Sequence, residues 1–338
     1  MGVPARPRTR NERAGADRTA IDTGILTNVG FYVYVSIVFA LLALGFNLQW
    51  GYTGLFNAGI AGFFLIGAYT TAIAITPPTP PSIGYPGHLG GFSLPLWLAA
   101  ILSMAAAGSV AALVALPTVR LRADYLAIAT LAFAEVLRVV AINWESVTAG
   151  TIGIFPIPQP VEFNPPSAFL NAMVKVAIGA GVLLILLVVL LFMTESPWGR
   201  VLRAVREDEE ATMALGKNTF LYKLQAFAIG GALMGLAGWL FTITINYIEP
   251  SGSFAPAITF SVWVMVIVGG AGNLRGAIVG AFAIYGLEWL SVQLKDYAPR
   301  ELKDTIFYIR LMIVGTLLIV LIIYRPEGIL REKKRILR

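Results

Sequence analysis

Apolar residues run along this chain in blocks separated by short polar stretches. Eight blocks, near 29–47, 95–116, 124–143, 171–193, 224–247, 257–271, 276–292 and 306–323, reach or approach the roughly 20 residues a helix needs to cross a bilayer. They predict an all-α polytopic membrane protein of about eight spans. A further apolar segment, 51–76, is interrupted by Gly51, Gly54, Asn57, Gly59 and Gly62. Two readings of it stay open. One is a broken or re-entrant element, whose freed backbone must be satisfied by protein or by a water-filled cavity. The other is a glycine-rich helix packed tightly on a neighbour. Gly231 with Gly235, and Gly276 with Gly280, are spaced four apart and mark close helix packing.

Composition agrees with the pattern. Only 13% of residues are charged and 57% are hydrophobic, against about 25% charged in soluble domains. The net charge of +6 is a matter of loops rather than of nucleic acid. Arg120 and Arg122 lie in the 117–123 loop, and further Lys and Arg crowd 194–223 and the basic tail 324–338, so these should face the cytoplasm. Loops 77–94 and 144–170 hold no Lys or Arg, and 248–256 holds only Glu249, so these should face outward. Residues 1–28 carry five Arg and read as a disordered cytoplasmic tail without a cleaved signal peptide. With both termini inside, the count of crossings closes only if 51–76 enters and leaves from outside. The expectation is a multi-pass membrane protein with both termini cytoplasmic and 29–323 as the membrane domain.

One stretch breaks the apolar rule. SPWGRVLRAVREDEEATMALGKN, residues 196–218, starts with a Ser-Pro helix signature and runs to Gly216. Arg203 with Glu207, and Arg206 with Glu210, are spaced i,i+4 and could pair. Val201, Val205, Thr212 and Leu215 fall roughly along another side. The prediction is an amphipathic helix over 197–216, lying on the cytoplasmic surface between two spans.

The segments GYTGLFNAGIAGFFLIGAY (51–69), LRADYLAIATLAFAEVLR (121–138), the 196–218 stretch, YKLQAFAIGGALMGLAGWLF (222–241), VMVIVGGAGNLRGAIVGAF (264–282) and YRPEGIL (324–330) occur in order. Together they resemble the LivM family, permease subunits of branched-chain amino-acid ABC importers. Glu210-Ala211-Thr212 followed by Gly216 also resembles the coupling loop of ABC importer permeases, which docks on an ATPase. The chain departs from the family pattern in NAGIAGFF, which has no His, and in Leu-Arg-Ala-Asp-Tyr at 121–125.

The resemblance implies a type II-like permease bundle for branched-chain or hydrophobic neutral amino acids. Its partners would be a LivH-like second permease, two cytoplasmic ATPases that bind ATP and Mg, and an extracytoplasmic binding protein. A urea or short-amide importer is the alternative within that pattern, and a stand-alone secondary transporter is the rival class. Arg203, Arg206, Glu207, Glu210, Ala211 and Gly216 would serve ATPase coupling.

The residues themselves offer no catalytic constellation. There is no phosphate-cradling Gly-x-x-x-x-Gly-Lys-Ser/Thr motif, no Cys, and one His (His88, read as a surface residue), so no cofactor or metal is expected in this chain. Tyr52, Thr53, Phe56 and Asn57 are candidates for lining a pathway at the break. Glu135 and Arg138 lie inside a span at i,i+3, as a substrate contact or a self-neutralising pair. Tyr247 and Glu249 mark the outer face where a binding protein would dock, and Glu288 reads as interfacial.

Overall fold

In the computed structural model, residues 10–77, 87–159, 168–297, 299, 303–325 and 327–332 are described. Side chains are described from Leu26 onward, except at 295–297, 303–307, 310, 321 and 322. The elements are all helical: α1 (Arg10–Gln49), α2 (Ile60–Ile75), α3 (Leu96–Thr118), α4 (Ala123–Asn143), α5 (Glu145–Thr148), α6 (Ala168–Glu195), α7 (Pro197–Glu207), α8 (Glu209–Ala214), α9 (Thr219–Thr242), α10 (Pro256–Gly269), α11 (Leu274–Tyr297) and α12 (Lys303–Tyr324). Among the described residues the only β pairing is an isolated bridge between Ile154 and Ile248. Among the described residues six helices are long and apolar enough to cross a membrane, and Ile60–Ile75, Pro256–Gly269 and Leu311–Val320 are shorter apolar helices.

The core is built where small residues let backbones meet. A Cβ added at Gly67 would overlap the backbone of Gly235, and one at Gly231 would overlap Ala111. α9 therefore sits wedged between α2 and α3. The second spaced pair acts likewise: a Cβ at Gly280 would overlap the Met265 carbonyl, fastening α11 on α10. In lipid there is little hydrophobic gain from joining helices, so close van der Waals contact carries their association. α6, rich in Leu and Val, stays mostly exposed along its length, as a lipid-facing helix would.

Helix direction follows from the contacts. Gln49 donates to the Phe227 carbonyl at the start of α9, while Tyr34 donates to Leu240 near its end. Gly30 lies against Met173 and Ala172 at the start of α6. α1 thus runs parallel to α6, with its Gln49 end on the face that carries α7 and α8, called the coupling face below. The described residues of the C-terminal segment also meet that face, through Glu332 and Arg206. Several expectations change. The two ends of the described chain lie on opposite faces, and residues 10–28 continue α1 as helix. The break is reached from the coupling face, so α1 and α2 both traverse the bundle and the crossings close without a re-entrant loop. The arginines of the first 28 residues do not anchor that end on the coupling face, and this is why the expected parity of crossings differs. The basic 117–123 and 194–223 loops do lie on the coupling face, with Arg120 by Phe220 beside α8, and the 248–256 loop lies on the other side with Tyr247.

α10 is short, close to the expected 257–271. Its 14 residues span about 21 Å, less than the ~30 Å hydrocarbon thickness. The connection ahead of it makes up part of the difference. Phe254 is fully buried against the rings of Phe64, Tyr69 and Phe241, so this end of the connection tucks into the bundle while Ser251 and Gly252 stay exposed.

Candidate functional site: the helix break and the charged segment

The segment 51–76 is broken but not re-entrant, and the break is followed by the packed glycine-rich helix. Residues 50–59 leave the helix and turn, and Ile60–Ile75 then forms the tightly packed glycine-rich helix. Gly54 sits at φ +78°, in the left-handed region open to glycine. The freed backbone is satisfied by side chains from several other helices. Asn57 is fully buried; its Nδ2 donates to Gln49 Oε1 at 2.8 Å and its Oδ1 accepts from Gly59 N at 2.7 Å. Thr130 of α4 accepts from Ala58 N at 2.9 Å, and Thr259 of α10 accepts from Ala61 N at 3.2 Å. Trp263 Nε1 donates to the Asn57 carbonyl at 3.2 Å. Burial without such partners would cost roughly 1–3 kcal/mol per group.

Of the four candidates at the break, Tyr52, Thr53 and Asn57 are buried in protein, and only Phe56 keeps partial exposure. Thr53 donates to Leu48 O at 3.1 Å. Phe56 belongs to an aromatic group with Phe46, Trp50 and Trp263, at centroid distances of 5.8, 5.6 and 4.6 Å. Asn47 and Gln49, not singled out from the sequence, hold this region together: Asn47 Oδ1 accepts from Gly272 N at 2.9 Å. Two amide side chains in the last turn of an apolar helix were the signal that could have found them.

The charged segment is two helices, a correction to the single helix over 197–216. Asp208 adopts φ −153°, ψ 104°, ending α7, and its Oδ1 accepts from Ala211 N at 2.9 Å to cap α8. A carboxylate side chain caps a helix start more readily than it continues one, which is why the breaker lay hidden inside a charge run. Gly216, at φ +77°, follows the end of α8 as expected. Val205 and Thr212 face inward, but Leu215 is 81% exposed, because the kink at Asp208 turns it away.

The expected pairs of Arg203 with Glu207 and Arg206 with Glu210 do not form. Both arginines point into the protein. Arg203 donates to the Thr194 carbonyl at 3.2 Å and lies over the Tyr52 ring at 5.8 Å. Arg206 donates through Nη1 to the Gly51 carbonyl and through Nη2 to Glu332 at 2.9 Å. It therefore joins α7, the break and the C-terminal segment at one point. That segment is laid on the α10–α11 turn, with Ile329 N donating to Val268 O and Leu330 N to Gly269 O. Glu207, Glu210, Ala211, Met213 and Gly216 remain exposed on the outer side.

Glu135 and Arg138 form a two-point pair, with Nε to Oε2 at 2.9 Å and a second bond from Nη2 to Oε1. Their side chains stay 40% and 21% exposed on α4, which this chain leaves largely uncovered. Glu135 also borders a narrow cleft with Ala61, Leu131, Phe254, Pro256 and Thr259. On the face opposite α7, Glu249 accepts from the backbone N–H groups of Ser251, Gly252 and Ser253, making a closed turn. Tyr247 stands exposed beside it, its phenol pushed up by burial and by the Glu249 charge. His88 is buried, not on the surface, with Nδ1 3.0 Å from the Leu89 carbonyl. Glu288, in α11, is partly exposed. Among the described residues no group of His, Asp and Glu could hold a metal ion.

Residues 28–315 match the family described as branched-chain amino acid transport system / permease component. The high-affinity branched-chain amino acid transport system permease protein LivM of Salmonella typhimurium is 31% identical over 317 residues, covering 88% of this chain and 68% of the relative. A probable LivM of Methanocaldococcus jannaschii is 27% identical over 88% of this chain and 91% of the relative. The Salmonella typhimurium LivH permease is 26% identical over 88% and 92%. No solved structure matches. A tightly packed helical bundle with a satisfied break beside a surface segment is thus matched across most of its length by transport permeases, and the chain belongs to the branched-chain amino acid permease family.

Proposed function

We propose that this chain is one of two permease subunits of an ATP-driven importer for branched-chain or other hydrophobic neutral amino acids. The observation that carries the reading is the two-sided charged segment. Its inner arginines grip the break and the C-terminal segment, while Glu207, Glu210, Ala211, Met213 and Gly216 are offered outward. An exposed surface element bonded directly to an internal break is what a separate motor would need in order to act on a membrane pathway.

In this reading α7 and α8 dock on a cytoplasmic ATPase, so the coupling face is cytoplasmic and the membrane is a bacterial plasma membrane. Two ATPase subunits bind ATP and Mg, and this chain itself is not catalytic. A LivH-like permease covers the face of α4. That placement is supported by the Glu135–Arg138 pair, because ionisable groups at membrane depth belong against protein or water and not lipid. The pathway then runs between the two permeases past Phe56, Glu135 and Arg138. Asn57, Thr53 and Tyr52 act behind it by holding the break. A substrate-binding protein docks by Tyr247 and Glu249.

The test is uptake of labelled leucine into proteoliposomes holding this chain, its partner permease, the ATPases and the binding protein. Uptake should need ATP and all four components. Flux through this chain alone would make it a secondary transporter or channel, and uptake of urea with no leucine uptake would move it to the amide-carrying branch.

A further inference from the structure

On the coupling face a second feature stands apart from the break. The α3–α4 connection, the start of α9 and α8 enclose a groove of about 660 Å3. Its polar wall comprises Arg120, Arg122, Lys223, Glu209, Asn218 and Thr219, over a floor that includes Val119, Leu121 and Phe220. The charges are unbalanced. Glu209 is committed to an ion pair with Lys223. Arg120 is steadied over the Phe220 ring at 4.9 Å, and neither it nor Arg122 has a carboxylate partner among the described residues. Two uncompensated guanidinium groups therefore face a cavity within the size range of small-ligand sites.

What lies beside the groove identifies the class of ligand. On α3, Leu113 and Leu116 are 64% and 47% exposed. They stand one to two turns from Arg120 along the helix, so in a bilayer they would lie at acyl-chain depth with Arg120 and Arg122 at headgroup depth. Basic pockets between membrane helices at the cytoplasmic boundary suit anionic headgroups. A guanidinium fork matches phosphate oxygens in a two-point geometry that an ammonium cannot reproduce.

We propose that this groove binds the headgroup phosphate of an anionic phospholipid, with Arg120 and Arg122 as the direct ligands and the acyl chains laid along α3. Lys223, already paired with Glu209, closes the wall. The site is independent of which solute the permease carries.

The assembled importer would be incubated with phosphatidylcholine vesicles with and without phosphatidylglycerol or cardiolipin, then examined by native mass spectrometry for retained lipid. Wild type should keep the anionic lipid. Arg120→Ala with Arg122→Ala should lower its occupancy roughly tenfold or more, from about fivefold per cation near a membrane surface. Arg120→Lys with Arg122→Lys should fall between the two. Equal retention by wild type and the alanine variant would overturn the proposal. So would displacement of the lipid by inorganic phosphate at equal concentration, which would make the groove a free-anion site. Loss of the ATPase subunits in place of lipid would assign the arginines to a protein contact.

Discussion

Removal of the Arg206 fork should uncouple the motor from the pathway without dismantling the bundle. In Arg206→Gln the Gly51 carbonyl loses its guanidinium donor and Glu332 loses its ion-pair partner. A hydrogen bond to a charged group contributes about 1.5–3 kcal/mol. The Arg206–Glu332 pair, with side chains 25% and 27% exposed, lies between surface pairs at about 0–1 kcal/mol and buried ones. About 1 kcal/mol is a suitable allowance after solvent screening. Together the fork ties α7 to the break and the C-terminal segment with about 2.5–4 kcal/mol. If half of that is what transmits α7 movement to residues 50–59, its loss weakens transmission roughly tenfold or more.

The assay is leucine uptake per ATP hydrolysed, measured on the reconstituted complex. We expect uptake to fall at least tenfold, with basal ATP hydrolysis and subunit assembly retained. Glu332→Gln should reproduce only the smaller share, a loss of about fivefold or less. A double-mutant cycle across Arg206 and Glu332 should show non-additivity of about 1 kcal/mol, since the two side chains touch. Wild-type uptake per ATP in Arg206→Gln would refute the relay. Full additivity in the cycle would remove the C-terminal segment from it.

Other substitutions test separate parts of the argument. Gly67→Val should destabilise the bundle by several kcal/mol, because any Cβ there overlaps the backbone of Gly235 and neither helix can yield; an unchanged melting temperature in detergent would contradict the packing. Asp208→Ala should cost about 1 kcal/mol of local stability by removing the cap on α8, and should weaken capture of the ATPase subunits in a pull-down, whereas Asp208→Asn should restore it. Glu135→Gln should lower folded yield and uptake by leaving the Arg138 guanidinium unpaired, while Glu135→Gln with Arg138→Gln should recover yield; a single variant as well folded as the double would show the pair to be idle in stability.

Much of the helical architecture was legible because lipid enforces it. A run such as the Leu- and Val-rich 182–192 has no other stable home, and α6 contains it almost unchanged. The spaced glycines were legible for the same reason, since small residues four apart make a surface that only a close neighbour can fill. What escaped was set by contacts distant in sequence. Arg206 meets a carboxylate 126 residues away, and i,i+4 spacing offered Glu210 as a nearer but wrong partner. Asp208 was invisible as a breaker because it sat among other charges. The direction of α1 escaped because arginines before residue 28 carried weight that the later loops should have held. Asn57 was found for its polarity and expected to line a pathway, without the partner it bonds. The sequence offers an amide at a break; only the packed structure offers Gln49 to receive it.

The pattern of bonds at the break also constrains how it can work. Residues 51–61 are held by donors and acceptors from α1, α4, α7 and α10, through Gln49, Thr130, Arg206, Thr259 and Trp263. A displacement of α7 alone therefore pulls against three elements that remain fixed. In a buried region each broken bond costs more than it returns unless a new partner takes over at once. Small, continuous stretching is then unfavourable, and the break should move by exchanging one satisfied set of partners for another. In the proposed importer the break would then act as a two-state element, switched by a short stroke of the docked ATPase. Gly51 and Gly54 suit this role because their backbones can change conformation without a side chain to relocate. Asn57 suits it because it donates and accepts at once, so it can keep one bond while the other changes hands.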